Sequence, residues 1–153
     1  MPIKDLPKEV VLVMQDLLIL IHKTELSDSE RLWYKKMFDT AIRHLEFFIV
    51  PLVSIKAQKI ADANNLGDLR FKRYRTPSAW PKGKELYWEH AKPVLDIRKL
   101  LIELGANPTT EDILSIVNQA EITWITRDEA RTLTKTGRVD WRDEYKRRNI
   151  NFI

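Results

Sequence analysis

Positions 10–21 read VVLVMQDLLILI, twelve residues of which only Gln15 and Asp16 are polar. The polar pairs in and around this run, Lys8/Glu9, Gln15/Asp16 and His22/Lys23, recur every seven residues. That recurrence predicts a helix with a narrow wet stripe and apolar cover round most of its circumference. A spanning helix needs about 20 apolar residues, so this run belongs in a protein core rather than a membrane. Pro7 suits the first turn, and the helix is expected over 7–24.

A second helix is expected after the capping box Ser27-Asp28-Ser29-Glu30. Its spacing puts Trp33, Met37, Ala41, Leu45 and Phe48 inward, with Lys35, Lys36, Asp39, Arg43 and Glu46 outward. Pro51 removes the bond to the Phe47 carbonyl, so the helix should kink or restart there. A further helical segment over 52–64 should stop at Asn64-Asn65-Leu66-Gly67. The N-terminal part is therefore a helical hairpin or a three-helix unit.

The pattern changes after Asp68. Leu86, Trp88 and His90 alternate with Tyr87, Glu89 and Ala91, which predicts a strand or loop over 86–91. Pro93 opens a helix with the apolar face Val94, Ile97, Leu101 and Leu104, and Thr109 or Thr110 caps a shorter one. The β-branched and aromatic run at 121–126 reads as a buried strand. Thr126-Arg127-Asp128-Glu129 is another capping box, whose helix Gly137 stops, and Asp140 can cap a last helix ahead of an apolar, docked end at 149–153. The expected fold is α+β and α-dominant, with five to seven helices flanking a small sheet of 86–91 and 121–126. It is read as one domain, 1–153, with a helical scaffold lobe at 1–67 and a basic lobe at 68–153.

Composition narrows the function classes. With no cysteine, disulfide scaffolds, thiolate zinc sites and Cys nucleophiles are excluded. No GxGxxG, P-loop or Gly-x-Ser-x-Gly pattern occurs, no cofactor is specified, and no two histidines stand at metal-ligand spacing. Asp5 lies where a signal peptide carries only bases, so a cytoplasmic protein without membrane attachment is expected. The formal net charge is +4. Residues 1–69 hold 9 Lys/Arg against 10 Asp/Glu, and residues 70–153 hold 17 against 12. The excess lies wholly in the second part.

Its densest expression is 70–84, with six bases and no acid. Arg70, Lys72, Arg73 and Arg75 are spaced to neutralise phosphates, while Tyr74 and Trp80 offer faces on which unpaired bases stack. Glu89 and His90 are the catalytic candidates: a carboxylate and an imidazole just before a helix N-terminus can serve phosphodiester cleavage. Alternation in a regular strand sets them on opposite faces, so they converge only if the strand ends at Trp88. His22 and His44 are expected to be structural. Glu144, in a helix read as exposed, is expected to pair with Arg147 or Arg148. Trp88 and Trp124 are assigned to the core. The sequence thus points to a DNA- or RNA-interacting protein, with nuclease activity as its enzymatic form. The alternative is a non-enzymatic regulator that binds an acidic protein surface through the same strip.

Overall fold

The computed structural model describes residues 6–73 and 85–153. Among them the chain order is α1 (Lys8–Ile21), α2 (Asp28–His44), β1 (Leu52–Val53), α3 (Ile55–Ala63), β2 (Leu86–His90), α4 (Val94–Ile102), α5 (Thr110–Val117), β3 (Ile122–Thr126), α6 (Arg127–Arg131) and α7 (Trp141–Arg147). Short 3₁₀ turns follow at Leu45–Phe48 and Leu69–Phe71. The fold is α+β and helix-dominant, with a small three-stranded sheet among the described residues. No helix among the described residues is long and apolar enough to cross a membrane.

The chain forms two compact units, Met1–Phe48 with Pro93–Ala120, and Ile49–Lys92 with Glu121–Ile153. They are interleaved in sequence, unlike the consecutive lobes expected at 1–67 and 68–153. The reason is strand pairing: β1 lies before residue 67 yet pairs with β3, so a boundary there would cut the sheet.

In the first unit α1 and α2 pack together and meet α5 and α4 respectively. The α1 stripe Val11, Met14, Leu18 and Ile21 is buried, whereas Leu12, Val13 and Ile19 are exposed, so cover is one-sided rather than nearly complete. The Ser27 box forms as expected, the Glu30 amide donating to Ser27 Oγ at 3.2 Å and the Ser27 amide to Glu30 Oε2 at 2.8 Å. The inward face of α2 differs from the expected one. Leu45 is buried as expected, but its buried companions are Phe38 and Ile42, while Trp33, Met37 and Phe48 are exposed. Both stripes satisfy a 3.6-residue period, and packing selects the one carrying Phe38. The His22 ring lies 2.8 Å from the Leu18 carbonyl and 3.1 Å from the Ile102 carbonyl, tying the ends of α1 and α4. His44 packs on Phe47, ring centroids 5.1 Å apart.

In the second unit the strand order is β1-β3-β2, with β1 parallel and β2 antiparallel to the central β3. Pro51 is followed by β1, not by a continuing helix; Ser54 then caps α3, its Oγ accepting from the Ala57 amide at 3.0 Å. Every β3 residue is buried, which explains its unbroken apolar and β-branched run. Trp124 meets Trp88 edge to face at 4.9 Å, both in the core. The opposite side of the sheet packs Ile125 with Trp141, Tyr145 and Ile150. The apolar end of the chain is docked, the Ile153 amide donating to the Val53 carbonyl at 3.0 Å.

Candidate functional site

The strand β2 runs on through His90, paired residue by residue with β3. Alternation therefore keeps His90 on the side of Leu86 and Trp88 and sends Glu89 to the other. The two side chains that a cleavage site would need are not brought together.

Glu89 instead enters a buried ionic cluster with a residue that the sequence did not single out, Arg138. The Arg138 side chain is 2% exposed, and its Nη2 donates to Glu89 Oε1 at 2.7 Å. Its Nη1 donates to the carbonyls of Ala91 at 2.8 Å and His90 at 3.2 Å, and its Nε to that of Thr134 at 2.6 Å. Gly137 has φ +71°, a left-handed conformation that glycine adopts without steric cost, immediately before this arginine. A second carboxylate completes the group: Glu144 Oε2 lies 3.9 Å from Arg138 Nε. Glu144 is thus buried against Arg138, not on an exposed helix face with Arg147 or Arg148. Its Oε1 accepts from the Thr134 amide at 2.7 Å. Tyr145 shares the site, with its hydroxyl 3.0 Å from Thr123 Oγ1 and its ring 6.0 Å from the guanidinium.

Burial pushes the Glu89 carboxyl above its usual range, against the pull of the Arg138 bond and charge. For Glu144 burial acts the same way, but the Thr134 bonds and the Arg138 charge outweigh it and hold the carboxyl low. Burial also raises the Tyr145 phenol far above the ordinary range. A desolvated carboxylate beside a guanidinium has the environment of a general acid or base. Here, however, the guanidinium is engaged with two carboxylates and three carbonyls, an arrangement that holds a loop to the end of a strand. A cleft of about 540 Å³ opens beside the cluster, lined in part by Thr134, Arg138, Asp143 and Glu144. Among the described residues no three His, Asp or Glu side chains converge as a metal site.

The basic strip is described only at its start. Arg70 is exposed and paired with Asp68 at 2.6 Å, so its charge is partly compensated. Phe71 is 81% exposed, an uncovered aromatic face beside two cations. The Lys72 backbone is anchored, because Trp124 Nε1 donates to its carbonyl at 3.0 Å. Arg73 donates a hydrogen bond to the Ile49 carbonyl and is half-buried. It therefore has a packing role that a freely solvated strip would not give it. Tyr74, Arg75 and Trp80 lie outside the described residues.

No family model, curated protein or solved structure matches the chain.

Proposed function

We propose that this chain is a cytoplasmic nucleic-acid-binding protein whose contact surface belongs to the second compact unit. The observation that carries the proposal is the division of charge between units. Ile49–Lys92 with Glu121–Ile153 holds 17 Lys/Arg against 10 Asp/Glu, while the first unit holds 9 against 12. The segregation follows the structural units more sharply than it follows the chain order. A cationic unit attracts a polyanion, and an acidic one repels it. The strip beginning at Arg70, with Lys72, Arg73 and Arg75, supplies phosphate contacts, and Phe71, Tyr74 and Trp80 supply stacking faces.

Binding receives more support than cleavage. Glu89 is committed to Arg138, and His90 points to the other side of the sheet. Labelled single-stranded and duplex DNA and RNA, run with and without Mg²⁺ on a retardation gel, provide the test. Retarded, uncleaved bands that weaken steeply with salt are expected. Absence of any retarded band at low salt would refute nucleic-acid binding, and tight, weakly salt-dependent capture of an acidic protein would establish the regulator instead.

If cleavage appears, two variants locate it. His90→Ala is expected to leave both rate and affinity nearly unchanged. Glu89→Gln should lower thermal stability, while its folded molecules turn over as the parent does. A rate loss of about 10²–10⁴-fold in folded His90→Ala, without loss of affinity, would restore His90 as a general base.

A further inference from the structure

A cleft of about 610 Å³ opens on the second unit, lined in part by α3, α6 and the residue after α7. Its cations are Lys56 and Lys59 from α3, Arg127 and Arg131 from α6, and Arg148 after α7. They come from three separate segments, and none belongs to the strip at 70–84. We infer that this cleft is a phosphate-binding surface, which takes the sugar–phosphate backbone of a nucleic acid without reading its bases. The assignment deepens the nucleic-acid proposal and rests on it for the identity of the polyanion.

Of the three carboxylates at the cleft, Glu129 is spent on internal partners. Glu129 is 6% exposed, and its Oε2 accepts from Ser54 Oγ at 2.7 Å and from the Thr126 amide at 2.9 Å. Asp128 pairs with Arg131 at 2.9 Å, so the charge of that cation is partly compensated and Lys56, Lys59, Arg127 and Arg148 carry the excess. Glu85 remains as a further acid of the lining. On the cationic side, Lys56 and Lys59 are exposed and make no ion pair among the described residues. They stand three apart on α3 and so share a face, in a helix whose Ala57 and Ala61 are fully buried. The Arg127 guanidinium lies 5.7 Å from the Tyr87 ring centroid, which restricts its orientation, and its amide donates to the Glu85 carbonyl at 2.8 Å.

The lining also says what the cleft does not bind. Ile60 is its only strongly apolar side chain, and no aromatic ring lines it among the described residues. Among the described residues no aromatic ring is there for bases to stack on, and contacts to phosphate carry no sequence information. The volume lies in the range of about 300–1,000 Å³ common for small-ligand sites, enough for a short run of backbone.

The test uses the full chain labelled with ¹⁵N, titrated separately with sodium tripolyphosphate and with a short oligothymidylate. Both ligands are expected to move the amide signals of Lys56, Lys59, Arg127 and Arg131. Charge reversal at both lysines, K56E with K59E, should abolish those shifts and lower oligonucleotide affinity at least about 10-fold at low salt. The milder pair K56Q with K59Q, for use if reversal disturbs the fold, should flatten the log K against log salt slope by about 1.4 units for single strands. Tripolyphosphate shifts at the cleft, with no oligonucleotide binding anywhere on the chain, would keep the phosphate site and overturn the nucleic-acid proposal. Oligonucleotide binding that leaves the cleft signals in place would overturn the cleft and leave that proposal standing. If neither ligand moves them, the cleft assignment is wrong.

Discussion

Replacing Arg138 by methionine is expected to cost about 3–5 kcal/mol of stability, the range for breaking a buried ion pair from one side. In a chain of this size about 1 kcal/mol corresponds to roughly 2–4 °C, so the melting temperature should fall by about 6–20 °C. The cause is not the lost attraction alone. Methionine would leave the Glu89 carboxylate and the carbonyls of His90, Ala91 and Thr134 without their buried donor. Glu89 is already disfavoured as an anion by burial, so in the variant it should take up a proton more readily. A companion variant separates these contributions. Arg138→Met with Glu89→Leu removes the hydrogen-bonded pair, leaves Glu144 on the Thr134 amide, and should recover part of the loss, because apolar replacement of a buried pair is often close to neutral. Thermal or denaturant unfolding of the two variants provides the measurement. A melting temperature within about 2 °C of the parent for Arg138→Met would mean that the cluster is not the brace the distances describe.

Neutralising the strip should have a comparably large effect on binding rather than folding. Arg70→Ala, Lys72→Ala and Arg75→Ala together are expected to flatten the log K against log salt slope by about 2–3 units, or 0.7–0.9 for each lost phosphate contact. Near physiological salt this corresponds to a loss of roughly 100-fold in affinity. Arg70 should contribute least of the three, because Asp68 already shares its charge. Arg73 is kept out of the set on structural grounds. Its bond to the Ile49 carbonyl should make Arg73→Ala lower the melting temperature by a few degrees, as charge-assisted hydrogen bonds contribute about 1.5–3 kcal/mol. Filter binding across a salt series, with melting curves on the same preparations, separates the two effects. An unchanged slope in the triple variant would exclude these cations from the interface.

Elements set by residues within one helical turn were legible from the chain alone. The Ser27 and Thr126 capping boxes need only a hydroxyl and a carboxylate three residues apart, and both form. Strands β2 and β3 were legible for a similar reason, since alternation in one and a dense β-branched and aromatic run in the other are local properties. The core positions of Trp88 and Trp124 followed from their places in those strands. The α2 face was not legible. Trp33 and Met37 fit a helical stripe as well as Phe38 and Ile42 do, and only the neighbours against which the helix packs decide between them. The two-residue strand β1 is too short to carry a period at all, and it exists because β3 offers an edge beside it.

For the candidate site the sequence alone determined composition and charge: which segment is densely basic, which residue types are missing, and that Glu89 and His90 alternate in one strand. Tertiary structure decided which charges meet. Arg138 reaches Glu89 across 49 positions of chain, and Lys56, Lys59, Arg127, Arg131 and Arg148 line one cleft from three segments. No local pattern marks such residues, because an ion pair or a charged cleft depends on distance in space, and separation along the chain places almost no constraint on it.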